Sequence, residues 1–265
     1  MASTYIEVGA PAQRRAHTET IEQRGVAAFA GELIGTFLLV FFICGVISVG
    51  HSTALRLDIA GLGLLHALIL MVLVYALANT SGAHFNPAVT VGMLATRQIR
   101  PRDAMVYIVC QLVGGVLAGL LVLLLFHAAG ASVNYGATAV NGQVVAHGSV
   151  WLGLIAEALG TFMLMWAVMA MAVNPRAERH MAGLAIGGAL GLAVMVFGPA
   201  TGAGFNPARW LGPALASGTF SNFWIYIVGP VVGALAAAVG YRLLVLDRQG
   251  TESAPAAHAL NGGSH

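Results

Sequence analysis

The chain has 265 residues, of which 58% are hydrophobic and only 8% charged, with a formal net charge of +2. A soluble globular domain carries about 25% charged residues, so a water-facing surface is excluded and a polytopic membrane protein in a lipid bilayer is implied. All 12 basic residues are Arg and none form a basic cluster, which argues against nucleic acid as a partner.

In chain order, residues 1–26 are polar and of mixed charge, with no short apolar core followed by a small-residue cleavage site. They read as a cytoplasmic tail, not a signal peptide. Apolar runs predict six helical spans at 27–50, 59–79, 104–127, 150–173, 182–198 and 222–246, each near the roughly 20 residues that cross a bilayer. Cys44 and Cys110 fall inside spans and imply packed thiols. The stretches GGVLAG (114–119) and GPVVGALAAAVG (229–240) predict close helix approach in lipid, where small residues let backbones meet. Residues 128–149 form a long loop without Arg, and 247–265 a polar tail whose last residues have a disordered composition.

Arginine placement orients the spans. Arg14, Arg15, Arg24, Arg97, Arg100, Arg102, Arg176, Arg179, Arg242 and Arg248 share one side under six-span topology, while Arg56 and Arg209 lie on the other. The positive-inside rule then places both termini in the cytoplasm.

The chain also repeats itself. GELIGTFLL (31–39) matches AEALGTFML (156–164), aligning Glu32 with Glu157. SGAHFNPAVT and TGAGFNPARW follow at similar distances. Each unit (27–127 and 150–246) is three spans with FNPA after the second; an odd number inverts the second copy in the membrane, as in many transport proteins. Asn is a favoured N-cap and Pro a favoured first helical residue. Asn86-Pro87-Ala88 and Asn206-Pro207-Ala208 therefore predict two half-helices that enter from opposite faces and meet N-terminus to N-terminus. Their positive dipole ends oppose a cation there, and irregular backbone at that depth is tolerated only where it is buried in protein or lines a wet cavity. A narrow path that offers donors and repels positive charge is implied.

These motifs resemble the major intrinsic protein family of aquaporins and glycerol facilitators, over nearly all of residues 27–241. The resemblance implies an all-α hourglass of six helices plus two half-helices, a pore in each protomer, and a homotetramer in a membrane, the plasma membrane first. It places an outer selectivity filter at His66, Val194, Ala203 and Arg209, and makes Glu32 and Glu157 buried acceptors that hold the half-helix loops. His84 falls in the cytoplasmic vestibule or bonds the loop backbone; His147 and His180 read as solvated loop residues. Arg209 supplies fixed donors and a permanent charge against cations. A His with small neighbours in the filter looks like certain plant tonoplast-type channels. The solutes implied are water and small neutral molecules such as ammonia, urea or hydrogen peroxide. Trp210 stands where glycerol facilitators show Asp and water channels Ser, and Ile227 where Trp is common.

The alternatives are a glycerol or small-polyol facilitator and an ion-coupled secondary transporter, the latter lacking an acidic site beyond the symmetric Glu pair. No nucleophile–base set or metal-ligand spacing stands out, so no enzyme, metal or cofactor is expected.

Overall fold

The structure is a computed structural model that describes residues 25–52 and 58–252. Arg14, Arg15, Arg24 and Arg56, and most of both tails, lie outside the described residues. Among the described residues, six helices are long and apolar enough to cross a membrane. The first half holds α1 (Gly25–Ser52), α2 (Ile59–Ser81) and, after the short α3 (Pro87–Ala95), α4 (Pro101–Leu125). A short helix α5 (His127–Ala131) opens the long loop between α4 and α6. The second half has α6 (Val150–Val168), α7 (Ala182–Thr201), the short α8 (Pro207–Ser217) and α9 (Ile225–Tyr241). Both α6 and α9 end in one π-helical turn, at Met169–Val173 and Arg242–Leu246.

The local chemistry explains the boundaries. Asp58 caps α2, its carboxylate accepting from the Gly61 N–H at 2.8 Å. α4 starts three residues earlier than its apolar run, because Pro101 suits the first helical position and Asp103 lies in the first turn beside the positive dipole end. Gly82 and Gly202 end α2 and α7 in the left-handed conformation (φ 89° and 78°). A short helix α10 (Asp247–Glu252) occupies residues expected to be tail. Extending an existing helix needs no new nucleus, so a polar sequence suffices there.

The packing respects a two-fold exchange of the halves. α1 packs on α4 as α6 does on α9, and α1 on α2 as α6 does on α7. α8 packs on α4 as α3 does on α9, and α2 crosses its own counterpart α7. At that crossing a Cβ on Gly191 would sit 2.6 Å from the Gly63 carbonyl oxygen, and one on Gly63 2.8 Å from that of Gly191. Gly115 and Gly119 of α4 likewise abut the Ala208 and Gly212 carbonyls of α8. Such backbone contact between helices needs small residues on both sides.

The chain is inside-out relative to a soluble protein. Leu64, Leu68 and Val72 form an exposed stripe on α2, as do Ile155, Leu159 and Met163 on α6. Glu32, Glu157, His66, Asn86, Asn206 and Arg209 are buried. Apolar side chains outward and ionisable ones inward is the arrangement hydrocarbon requires.

Candidate pore centre and filter

Asn86 and Asn206 cap α3 and α8 from extended backbone, with Pro87 and Pro207 as first helical residues. The Asn86 Oδ1 accepts from the Ala88 N–H at 2.9 Å. Asn206 Oδ1 accepts from Ala208 at 2.9 Å and Arg209 at 3.3 Å. With each oxygen engaged, the amide nitrogen points across the gap. Asn86 Nδ2 donates to the Phe205 carbonyl and Asn206 Nδ2 to the Phe85 carbonyl. One N–H of each amide is thus bonded to the opposite loop, and the second is left to face the path. Pro87, Ala88, Pro207 and Ala208 are buried behind the asparagines.

The backbone ahead of each Asn is unusual in the same way. Ala83 and Phe85 have φ of 54° and 48°, and Ala203 and Phe205 have φ of 52° and 50°. L-residues enter this left-handed region at a cost, so something must hold them. The holders are two fully buried carboxylates. Glu32 Oε1 accepts from the Ser81 hydroxyl (2.6 Å) and the His84 N–H (3.0 Å), and Oε2 from the Phe85 N–H (2.7 Å). Glu157 repeats this with the Thr201 hydroxyl (2.6 Å), the Gly204 N–H (2.9 Å) and the Phe205 N–H (2.6 Å). Tyr107 and Tyr226 add a hydroxyl each to the carbonyls of Ser81 and Thr201. The rings of Phe85 and Phe205 seat on Gly35 and Gly160, where any Cβ would overlap them. The glycine of E-x-x-G-T-F and the phenylalanine of FNPA are thus partners within each half.

The halves differ beyond this frame. In the first, Gln111 Nε2 donates to Glu32 Oε2 (2.7 Å) and Thr90 Oγ1 (3.0 Å), and His84 Nδ1 lies 3.1 Å from the same hydroxyl. His84 also meets Tyr107 edge to face. In the second, Trp210 replaces Thr90 and stacks on Tyr226 with an interplanar angle of 8°.

A cavity runs along this seam. Its polar lining includes His66, His84, Asn86, Asn206 and Arg209; apolar side chains such as Leu39, Ile43, Leu70 and Leu164 form the remaining wall. Ala203 lines it with its small side chain. α7 adds Ile186 and Leu190 to the wall, and Val194 follows one turn further on in the same buried apolar cluster. Trp210 packs under α9 and Ile227 lies on an exposed face of α9. His147 and His180 are exposed loop residues, His180 beside Glu178 at 3.6 Å.

Two polar groups in the cavity are buried without a partner. His66 Nδ1 lies 2.7 Å from the Leu62 carbonyl. A carbonyl can only accept, so Nδ1 carries the hydrogen and the neutral ring turns Nε2 into an acceptor. That Nε2 is unpartnered, and so is Arg209 Nε. Arg209 Nη1 donates to the Gly136 carbonyl at 2.8 Å, in the long loop between α4 and α6. Sequence reasoning misses Gly136 altogether, since a backbone carbonyl in a loop leaves no side-chain signal. No group of His, Cys, Asp or Glu among the described residues could hold a metal ion.

The family profile described as Major intrinsic protein matches residues 19–241. Similar proteins include "Aquaporin NIP1-1" of Zea mays, 38% identical over 80% of this chain and 73% of that protein. "Nodulin-26" of Glycine max is 37% identical over 87% of this chain and 83% of that protein. Among solved structures, the "aquaglyceroporin from Plasmodium falciparum" superposes with a TM-score of 0.70 at 25% identity, covering 85% of this chain and 99% of that one. With its paired half-helices, crossed asparagines and buried arginine, the chain belongs to the major intrinsic protein family of transmembrane channels.

Proposed function

We propose that the chain is a passive channel for water and small neutral solutes (ammonia, urea, hydrogen peroxide) that excludes protons and cations. It works as a homotetramer, in the plasma membrane, with both termini cytoplasmic. The observation that carries this reading is the pair of crossed asparagine amides at the meeting of two helix N-termini.

The physics follows from what those groups can do. The free amide hydrogens of Asn86 and Asn206 are donors only. A water between them accepts from both and has its lone pairs filled, so it accepts no proton-bearing hydrogen bond from its neighbours. A proton relay breaks at that molecule. The two dipole ends add positive potential against any cation. Glu32 and Glu157 support the loops, and His84 lines the vestibule on the cytoplasmic side.

Selection belongs to the filter of His66, Val194, Ala203 and Arg209. There Arg209 Nε offers a donor and His66 Nε2 an acceptor. A water, ammonia or urea molecule satisfies both while passing the small Ala203; a hydrated cation meets the guanidinium charge. Val194, one turn beyond Leu190, sets the width of the path near Ala203. The His with small partners is what resembles tonoplast-type filters.

Glycerol and small-polyol passage is the second reading, favoured by the likeness to an aquaglyceroporin. One experiment separates the readings: stopped-flow permeability of proteoliposomes to water, ammonia, urea, peroxide and glycerol. The proposal expects water flux well above empty vesicles, non-saturating and independent of ion gradients, with glycerol slowest. Saturable, ion-coupled flux would establish a carrier, and vesicles no faster than empty ones would end the channel reading.

A further inference from the structure

The guanidinium of Arg209 is held by one described hydrogen bond, to the Gly136 carbonyl at 2.8 Å. Where that carbonyl points therefore decides where the filter's charge and its free Nε–H sit. Gly136 lies in a segment of the α4–α6 loop with an uncommon backbone: Asn134, Tyr135 and Gly136 are consecutively left-handed, with φ of 48°, 54° and 80°. Three such residues in succession do not persist unless their surroundings over-determine them.

Tyr135 supplies the surroundings. Its side chain is buried among Val40 and Cys44 of α1 and Ala118 and Val122 of α4. Its hydroxyl donates to the His127 carbonyl at 3.3 Å, across the loop. The ring presses on Gly130, where a Cβ would overlap it, and tilts over His127 at 6.5 Å between centroids. Gly136 in turn backs onto α1, where a Cβ would come within 3.1 Å of Cys44 Cα. One side chain thus pins the loop to the helix bundle, and the next residue along presents its carbonyl to Arg209.

We propose that Tyr135 is a positioning residue for the filter: by anchoring the left-handed Asn134–Gly136 turn it fixes the Gly136 carbonyl, hence the Arg209 guanidinium, and so sets which neutral solutes pass. The inference rests on the channel reading above. Tyr135 touches no solute, and it acts only through Arg209. Loosening the turn frees the guanidinium to leave the path and widens it. Water, the smallest solute, gains little, and larger solutes gain most.

The test is a double-mutant cycle on full-length protein in proteoliposomes, read as the ratio of urea and glycerol permeability to water permeability. Tyr135→Ala and Gly136→Ala are each expected to raise that ratio several-fold, and Tyr135→Phe to restore the wild-type ratio because it keeps the ring. Gly136→Ala perturbs the turn without emptying the site under Tyr135, so it serves if Tyr135→Ala does not fold. In an Arg209→Val background neither change should move the ratio further. A purely structural residue would scale all permeabilities together and leave the ratio unchanged. Ratios unchanged in both single variants, or shifts that persist in full without Arg209, would overturn the proposal. A wild-type protein that conducts no solute would instead overturn the channel reading, so the two failures are distinguishable.

Discussion

Asn86 and Asn206 are cross-linked through each other's loops: Asn86 Nδ2 lies 2.9 Å from the Phe205 carbonyl oxygen, and Asn206 Nδ2 lies 2.8 Å from that of Phe85. Each asparagine therefore caps its own half-helix and latches the other. Replacing one amide by a carboxylate removes a donor and sets an acceptor against a carbonyl. Asn206→Asp should cost about 1–3 kcal/mol from the unsatisfied buried carbonyl, and the new negative charge should let cations through. Ion conductance in planar bilayers checks the second part; a variant as ion-tight as the parent would remove Asn206 from the barrier.

Arg209→Val removes the only described charge in the cavity and leaves the Gly136 carbonyl without its partner. Urea and glycerol permeability should rise relative to water, and cation leakage should appear. An unchanged solute profile in the swelling assay would place the constriction elsewhere.

Glu157→Gln keeps shape but turns an acceptor of three hydrogen bonds into a group that must also donate. Its new NH2 would face the N–H of Gly204 or Phe205. Loss of a charge-assisted bond and the donor clash should destabilise the fold by about 2–3 kcal/mol, and Glu32→Gln should behave alike. Thermal unfolding in detergent measures this. A melting temperature within error of the parent would mean that the carboxylates are not what holds the loops.

Gly160→Ala drives a methyl into the Phe205 ring. Overpacking of this kind should cost about 1–3 kcal/mol, and trimming the ring with Phe205→Leu in the same chain should recover part of it. If the double variant were no more stable than Gly160→Ala alone, the strain would lie in the helix and not at the ring.

Much of this architecture is legible in the sequence because lipid leaves few options. Six apolar runs fit only spans, and Asn-Pro after an apolar run fits the start of a helix, so the first residues of α3 and α8 are legible. The repeat alone pairs Glu32 with Glu157. Less was legible where a contact joins positions far apart in the chain without matching chemistry. Gly35 and Phe85 both stand in recognisable motifs, yet nothing in either names the other. Gly136 carries no side chain, so its bond to Arg209 is invisible until the loop is folded.

The crossed amides also say something about what half of this chain could be. Residue i bonding j while the counterpart of j bonds the counterpart of i is the signature of a two-fold dimer interface, here folded into one polypeptide. A lone three-span unit would leave its asparagine donor and its phenylalanine carbonyl unmet in hydrocarbon, and half a passage. The smallest functional piece is therefore two units facing opposite ways, and any separated halves must reassemble antiparallel before a pore exists.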